Sequence, residues 1–100
     1  MQRHESPEQE ARWVLGRAAD YIDRRGWCRF EWFDLHDRAC IGGAVHTFVP
    51  SPEVERVALA LVERVVGERW DRWQDAPERT KAEVMDVLHR AARVPDPVAV

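Results

Sequence analysis

The sequence predicts a mainly α-helical single domain: a compact bundle of about four helices, with one small β-hairpin (about 27–40) inserted after the first helix. Three observations predict it. Apolar residues recur at helical spacing in separate stretches, start and stop signals bracket those stretches, and one segment between them switches to a period of two. A chain of 100 residues supports one core and is too short for two. A hydrophobic content of 45% with five glycines and six prolines suits a folded chain, not a disordered one.

The first helix starts at Ser6-Pro7-Glu8-Gln9, where Ser6 can cap, Pro7 fits the first turn and Gln9 can close a capping box. Ala11, Val14, Leu15, Ala18 and Ile22 form its apolar stripe. Gly26 stops it after Arg24-Arg25, whose charge suits a helix C-terminus. Cys28, Phe30 and Trp32 then alternate with Arg29 and Glu31, the pattern of a half-buried strand. Asp34 to Asp37 reads as a turn, and Arg38 to Ile41 as a short return strand or a helix entry. Such a hairpin needs the helices to pack on.

A short helix is expected from about Cys40 to Thr47, weakened by Gly42 and Gly43, which each cost roughly 1 kcal/mol relative to alanine. Ser51 caps the next helix, Pro52 opens it and Gly67 ends it. Its stripe of Val54, Val57, Ala58, Leu61, Val62 and Val65 is the cleanest in the chain and marks it as the central core helix. Trp70 and Trp73 share one side of a further turn. Thr80 to Glu83 is a second capping box, ahead of a helix lined by Val84, Val87, Leu88 and Ala91. Pro95 and Pro97 end it. Residues 1–5 and 95–100 are expected to be flexible, leaving 6–94 as the globular domain.

The net charge is −3, with 15 basic residues interleaved among 18 acidic ones. That balance argues against nucleic acid, whose binders carry a basic face. No apolar run approaches the roughly 20 residues of a membrane span. The polar N-terminus has no signal-peptide h-region, so the chain is expected to be cytoplasmic with its thiols reduced.

Gly26 to Phe48 holds the residues with the most chemical potential. Cys28, His36, Cys40 and His46 are ligand types that zinc accepts, although none of their spacings matches the tight pairs of structural zinc sites. The competing reading is two buried thiols and two surface histidines. Cys40 at a helix start can be a nucleophile with His36 or His46 as base, but Cys40 and His46 lie about 120° apart on one helix. A Cys28–Cys40 disulfide is less favoured than two thiols in the cytosol. Trp27, Trp32, Gly42, Gly43, His46 and Trp73 can line a small-ligand pocket, against the alternative of close helix packing over glycine. Trp70, Arg72 and Trp73 have hot-spot composition for a protein interface, against the alternative that the indoles are core. The aspartates read as turn and cap residues. No nucleotide-loop, serine-hydrolase or zinc-protease motif is present.

Gly26-Trp27-Cys28, Cys40-Ile41-Gly42-Gly43-Ala44, Trp73-Gln74-Asp75 and Arg79-Thr80-Lys81-Ala82-Glu83-Val84 together resemble a family of small actinobacterial domains of unknown function. The resemblance spans about Ala11 to Ala92 and departs at Gln74, where asparagine is usual. It implies one domain of helices around a short variable hairpin, and it brings no activity and no catalytic residues. At those positions Asp75 can pair with Arg79, and Trp73 can fold over Gly43.

The functional expectation is a non-enzymatic regulatory or interaction module with no cofactor, whose partner is a protein or a second copy. The alternatives are a small-molecule or metal-binding accessory protein using the Cys28–His46 region, and a small cysteine-dependent enzyme.

Overall fold

Local signals set the helix boundaries. In the computed structural model, which describes residues 6–94, α1 (Pro7–Arg25) starts where the Ser6 hydroxyl accepts the Gln9 N–H at 3.1 Å. It stops at Gly26, whose φ of 103° closes the helix while its N–H still reaches the Ile22 carbonyl. A residue with a Cβ is strained at that φ, and the Arg38 side chain also occupies the space. Then come α2 (Ile41–Phe48), α3 (Pro52–Val66), α4 (Trp70–Gln74) and α5 (Lys81–Ala91). Ser51 caps α3, and Gly67 ends it in the left-handed region at φ 80°. Thr80 and Glu83 form the complete reciprocal box at the start of α5. The terminal segments 1–5 and 95–100, expected to be flexible, lie outside the described residues.

α1 is the hub, packing against α2, α3 and α5. Its buried set is Ala11, Val14, Leu15, Ala18, Ala19 and Ile22, all at 0% exposure. Three of the six are alanines, which let three neighbouring helices approach closely. α3, which the sequence marks as central, buries Val54, Ala58, Leu61 and Val62 but only partly covers Val57 and Val65. Its stripe is cleaner because one of its faces is wet, whereas α1 is covered on several sides. Val84, Val87, Leu88 and Ala91 of α5 complete the core. Each fully buried large aliphatic contributes about 1.5–3 kcal/mol relative to exposure. Arg12 donates to the Val94 carbonyl and ties the end of the described chain back to α1.

The expected hairpin is not formed. Residues 26–40 make an irregular loop with two isolated bridges, Trp27 to Ala39 in parallel and Phe33 to Ala39 in antiparallel sense. Ala39 is thus paired on both sides. Its N–H donates to the Gly26 carbonyl and its carbonyl accepts from Cys28, both at 3.1 Å. A hairpin would bring the chain back antiparallel to Trp27. Here positive φ at Phe30 (70°) and Asp37 (59°) interrupts the extended backbone, so the chain returns alongside Trp27 in the same direction and enters α2. Alternation alone could not reveal those two dihedrals.

Candidate functional site

The 26–40 loop has a buried base and an exposed tip. Its base begins at α2. Cys40 is the N-cap of that helix, its Sγ accepting from the Gly43 N–H at 3.3 Å. The next orphan donor, the Ile41 N–H, goes to the Gln74 side-chain carbonyl of α4. The same Oε1 accepts from the Trp27 indole at 3.4 Å, and Gln74 Nε2 donates to Asp75 Oδ1 at 3.2 Å. Gln74 is 2% exposed and is the buried polar residue among those described. One amide therefore joins the loop, α2 and α4. The sequence marks this position only as a departure from a family pattern, and no local signal gives its role away.

The two glycines serve close approach. The Trp70 ring lies where a Gly42 side chain would be, and the Trp32 carbonyl lies where a Gly43 side chain would be. That carbonyl also accepts the Cys40 N–H at 3.1 Å. Trp70 and the Trp32 backbone, not Trp73, cover the glycine shelf. Trp73 is instead buried at 9% exposure, with the Arg79 guanidinium 4.0 Å from its ring centroid. Arg79 donates to the Trp73 carbonyl and pairs with Glu83, so the expected Asp75–Arg79 pair is replaced by these contacts. Arg29 crosses from the loop to donate to the carbonyls of Pro77 and Arg79, its guanidinium 4.8 Å from the Trp27 ring centroid.

The sulfur and imidazole groups are dispersed. His36 is exposed in the Asp34–Asp37 turn, and its backbone N–H donates to Asp34. His46 is exposed, with Nδ1 3.0 Å from Glu55 and its ring 4.6 Å from the Trp32 ring. Among the described residues, no three His, Cys, Asp or Glu side chains are grouped so as to hold a metal ion. Both cysteines are free thiols. Burial pushes Cys40 above its usual range against the hydrogen bonds that favour its thiolate. Burial, then the Asp34 carboxylate, raises Cys28 to about 11. Burial thus works against the lowering that a helix-start position favours at Cys40. Cys28 Sγ donates to the Arg38 carbonyl at 3.2 Å, a structural bond.

The tip carries the exposed apolar surface. Phe30 is 77% exposed, Trp32 48%, Phe33 38% and Leu35 99%. The alternation of Cys28, Phe30 and Trp32 thus reports a surface, not a buried strand face. The signal available in the sequence was Leu35 standing between Asp34 and Asp37, since turn residues on both sides place an apolar side chain at a tip. Asp34 holds the turn: it accepts the His36 and Arg38 N–H groups and pairs with the Arg38 guanidinium. Against burial, these bonds hold its carboxyl below the usual range. Phe33 meets Tyr21 edge-on at 6.0 Å, and Tyr21 donates to the Asp37 carbonyl, so the tip is braced against α1. Of the expected interface residues, Arg72 is exposed, Trp70 is half-buried on Gly42, and Trp73 is core.

Residues 6–94 match a family of unknown function (DUF6197). The chain belongs to that family. The match spans all five helices of this DUF6197 chain together with the loop. No curated protein and no solved structure matches the chain. No helix among the described residues is long and apolar enough to cross a membrane.

Proposed function

We propose that the chain is a non-enzymatic, cytosolic interaction module that presents the Phe30–Leu35 tip to a protein partner. The observation that carries this reading is the concentration of exposed apolar side chains in one short stretch of the chain. Of the five large hydrophobics exposed among the described residues, four stand at this tip. Scattered exposed apolar residues are ordinary, whereas a contiguous set marks an interaction surface. For the most exposed of the four, Phe30 and Leu35, this forgoes most of the roughly 1.5–3 kcal/mol that full burial supplies. A non-glycine residue at φ 70°, as at Phe30, costs a further roughly 1–3 kcal/mol. Trp32 and Phe33 are partly covered by His46 and Tyr21, whereas Phe30 and Leu35 stay largely in water. Burial against a partner would recover the first of these costs.

A protein suits the tip better than a lipid surface. Glu31, Asp34 and Asp37 are interleaved with the apolar side chains. Segments that enter anionic membrane interfaces carry lysine and arginine in those places. Aromatic anchors within a polar rim are the composition of protein hot spots.

The test places a photo-reactive amino acid at position 35 and, as a control, at position 24 on the exposed surface of α1, in chains expressed in their native cells. Discrete adducts from position 35 and none from position 24 are expected, an adduct between two copies counting as one. No adduct, or the same adducts from both positions, would overturn the reading.

A further inference from the structure

A cleft lies between the loop tip and α4. It has a volume of about 260 Å³ and is lined by Phe30, Glu31 and Trp32 from the loop and by Trp70, Asp71 and Asp75 from the α4 side. Cys40 and Gln74 complete the lining. None of these residues is basic. Asp71 is paired with Arg69, whereas Glu31 and Asp75 have no cationic partner among the described residues. Asp75 accepts from the buried Gln74 amide, which fixes that carboxylate beside the cleft. Three aromatic residues and two uncompensated carboxylates therefore share one small space.

Cofactor and drug-sized sites run from roughly 300 to 1,000 Å³, so this cleft fits a single side chain better than a cofactor. Aromatic faces and carboxylates together select a cation. A guanidinium suits them better than an ammonium, because it is planar, stacks on aromatic rings, pairs with carboxylates in two-pronged fashion and gives up its water more readily.

We propose that this cleft receives an arginine side chain of the partner polypeptide, held by Glu31 and Asp75 against Trp32 and Trp70. The proposal rests on the reading of the tip as a docking surface. Phe30, exposed and lining the cleft, gives the residues around that arginine an apolar seat. The attraction is partly solvated and weakens with added salt.

The experiment is a titration of the full chain, followed by the NMR signals of the Trp32 and Trp70 indoles and the Gln74 side-chain amide. Three probes are used: an end-blocked Gly-Arg-Gly tripeptide, the same tripeptide with neutral citrulline, and propylguanidine. Saturable shifts are expected from the arginine tripeptide, with at least tenfold weaker binding of the citrulline form. The Glu31→Gln/Asp75→Asn variant, which keeps a side-chain oxygen at position 75 to accept from Gln74, should bind the arginine tripeptide at least tenfold more weakly. Should that variant misfold, Glu31→Gln alone, at an exposed position, should weaken binding at least threefold. Absence of saturable shifts, equal binding of the citrulline peptide, or unchanged binding by the variants would overturn the proposal. So would propylguanidine binding tenfold more tightly than the tripeptide, which would make a free small cation the occupant. Position-35 adducts that persist while the arginine tripeptide fails would remove the arginine cleft and leave the docking surface standing.

Discussion

The base and the tip of the 26–40 loop use the same residue types in opposite ways. At the base, Trp27 donates its indole to Gln74, Ala39 is fully buried and Cys40 caps α2. At the tip, only a few positions away, Phe30 and Leu35 face water, and the backbone at Phe30 is held at positive φ. The base therefore behaves as part of the helical body, and the tip as something the body carries. The contrast teaches that aromatic content does not locate a core. What separates base from tip is contact with the helical body: Ala39 and Gln74 are covered by it, whereas Phe30 and Leu35 are not.

The comparison makes graded demands on stability. The largest effect belongs to the body. Leu15→Ala removes a side chain at 0% exposure on the hub helix and should cost about 2–5 kcal/mol in urea unfolding. A loss below about 1 kcal/mol, well under that range, would mean that α1 is not the centre of the core. The base comes next. Gln74→Leu leaves the Ile41 N–H without its acceptor and the Trp27 indole without its partner, and should cost about 1–3 kcal/mol. The same variant should raise hydrogen exchange at Cys28 and Ala39, whose amides hold the loop base. Unchanged exchange there would separate Gln74 from the loop and weaken the distinction between base and tip.

Most of the helical body was legible in the sequence, for physical reasons that are local. Ser6, Ser51 and Thr80 act within one turn of themselves, and Gly26 and Gly67 act through their own φ. The loop was not legible to the same degree. A period of two records alternation of residue type. It does not distinguish a strand from a chain that turns left-handed at Phe30 and again at Asp37. The glycine shelf was visible as a place of close approach, but its two occupants were not. Trp70 and the Trp32 carbonyl reach Gly42 and Gly43 from distant parts of the chain. Gln74 was legible least of all, because its importance lies in an amide bonding across 33 positions to Ile41. The exposure of Leu35 was foreshadowed locally by the turn residues Asp34 and Asp37, whereas that of Phe30 was hidden by an alternation that reads as a strand.

The most direct test is the unfolding free energy of the Phe30→Ser/Leu35→Ser double variant beside that of the unaltered chain. If the tip is carried by the fold and not used to build it, the two should agree within about 0.5 kcal/mol, as for ordinary surface positions. A loss of about 2 kcal/mol or more, the scale of core truncation, would place these side chains in the core and contradict the account.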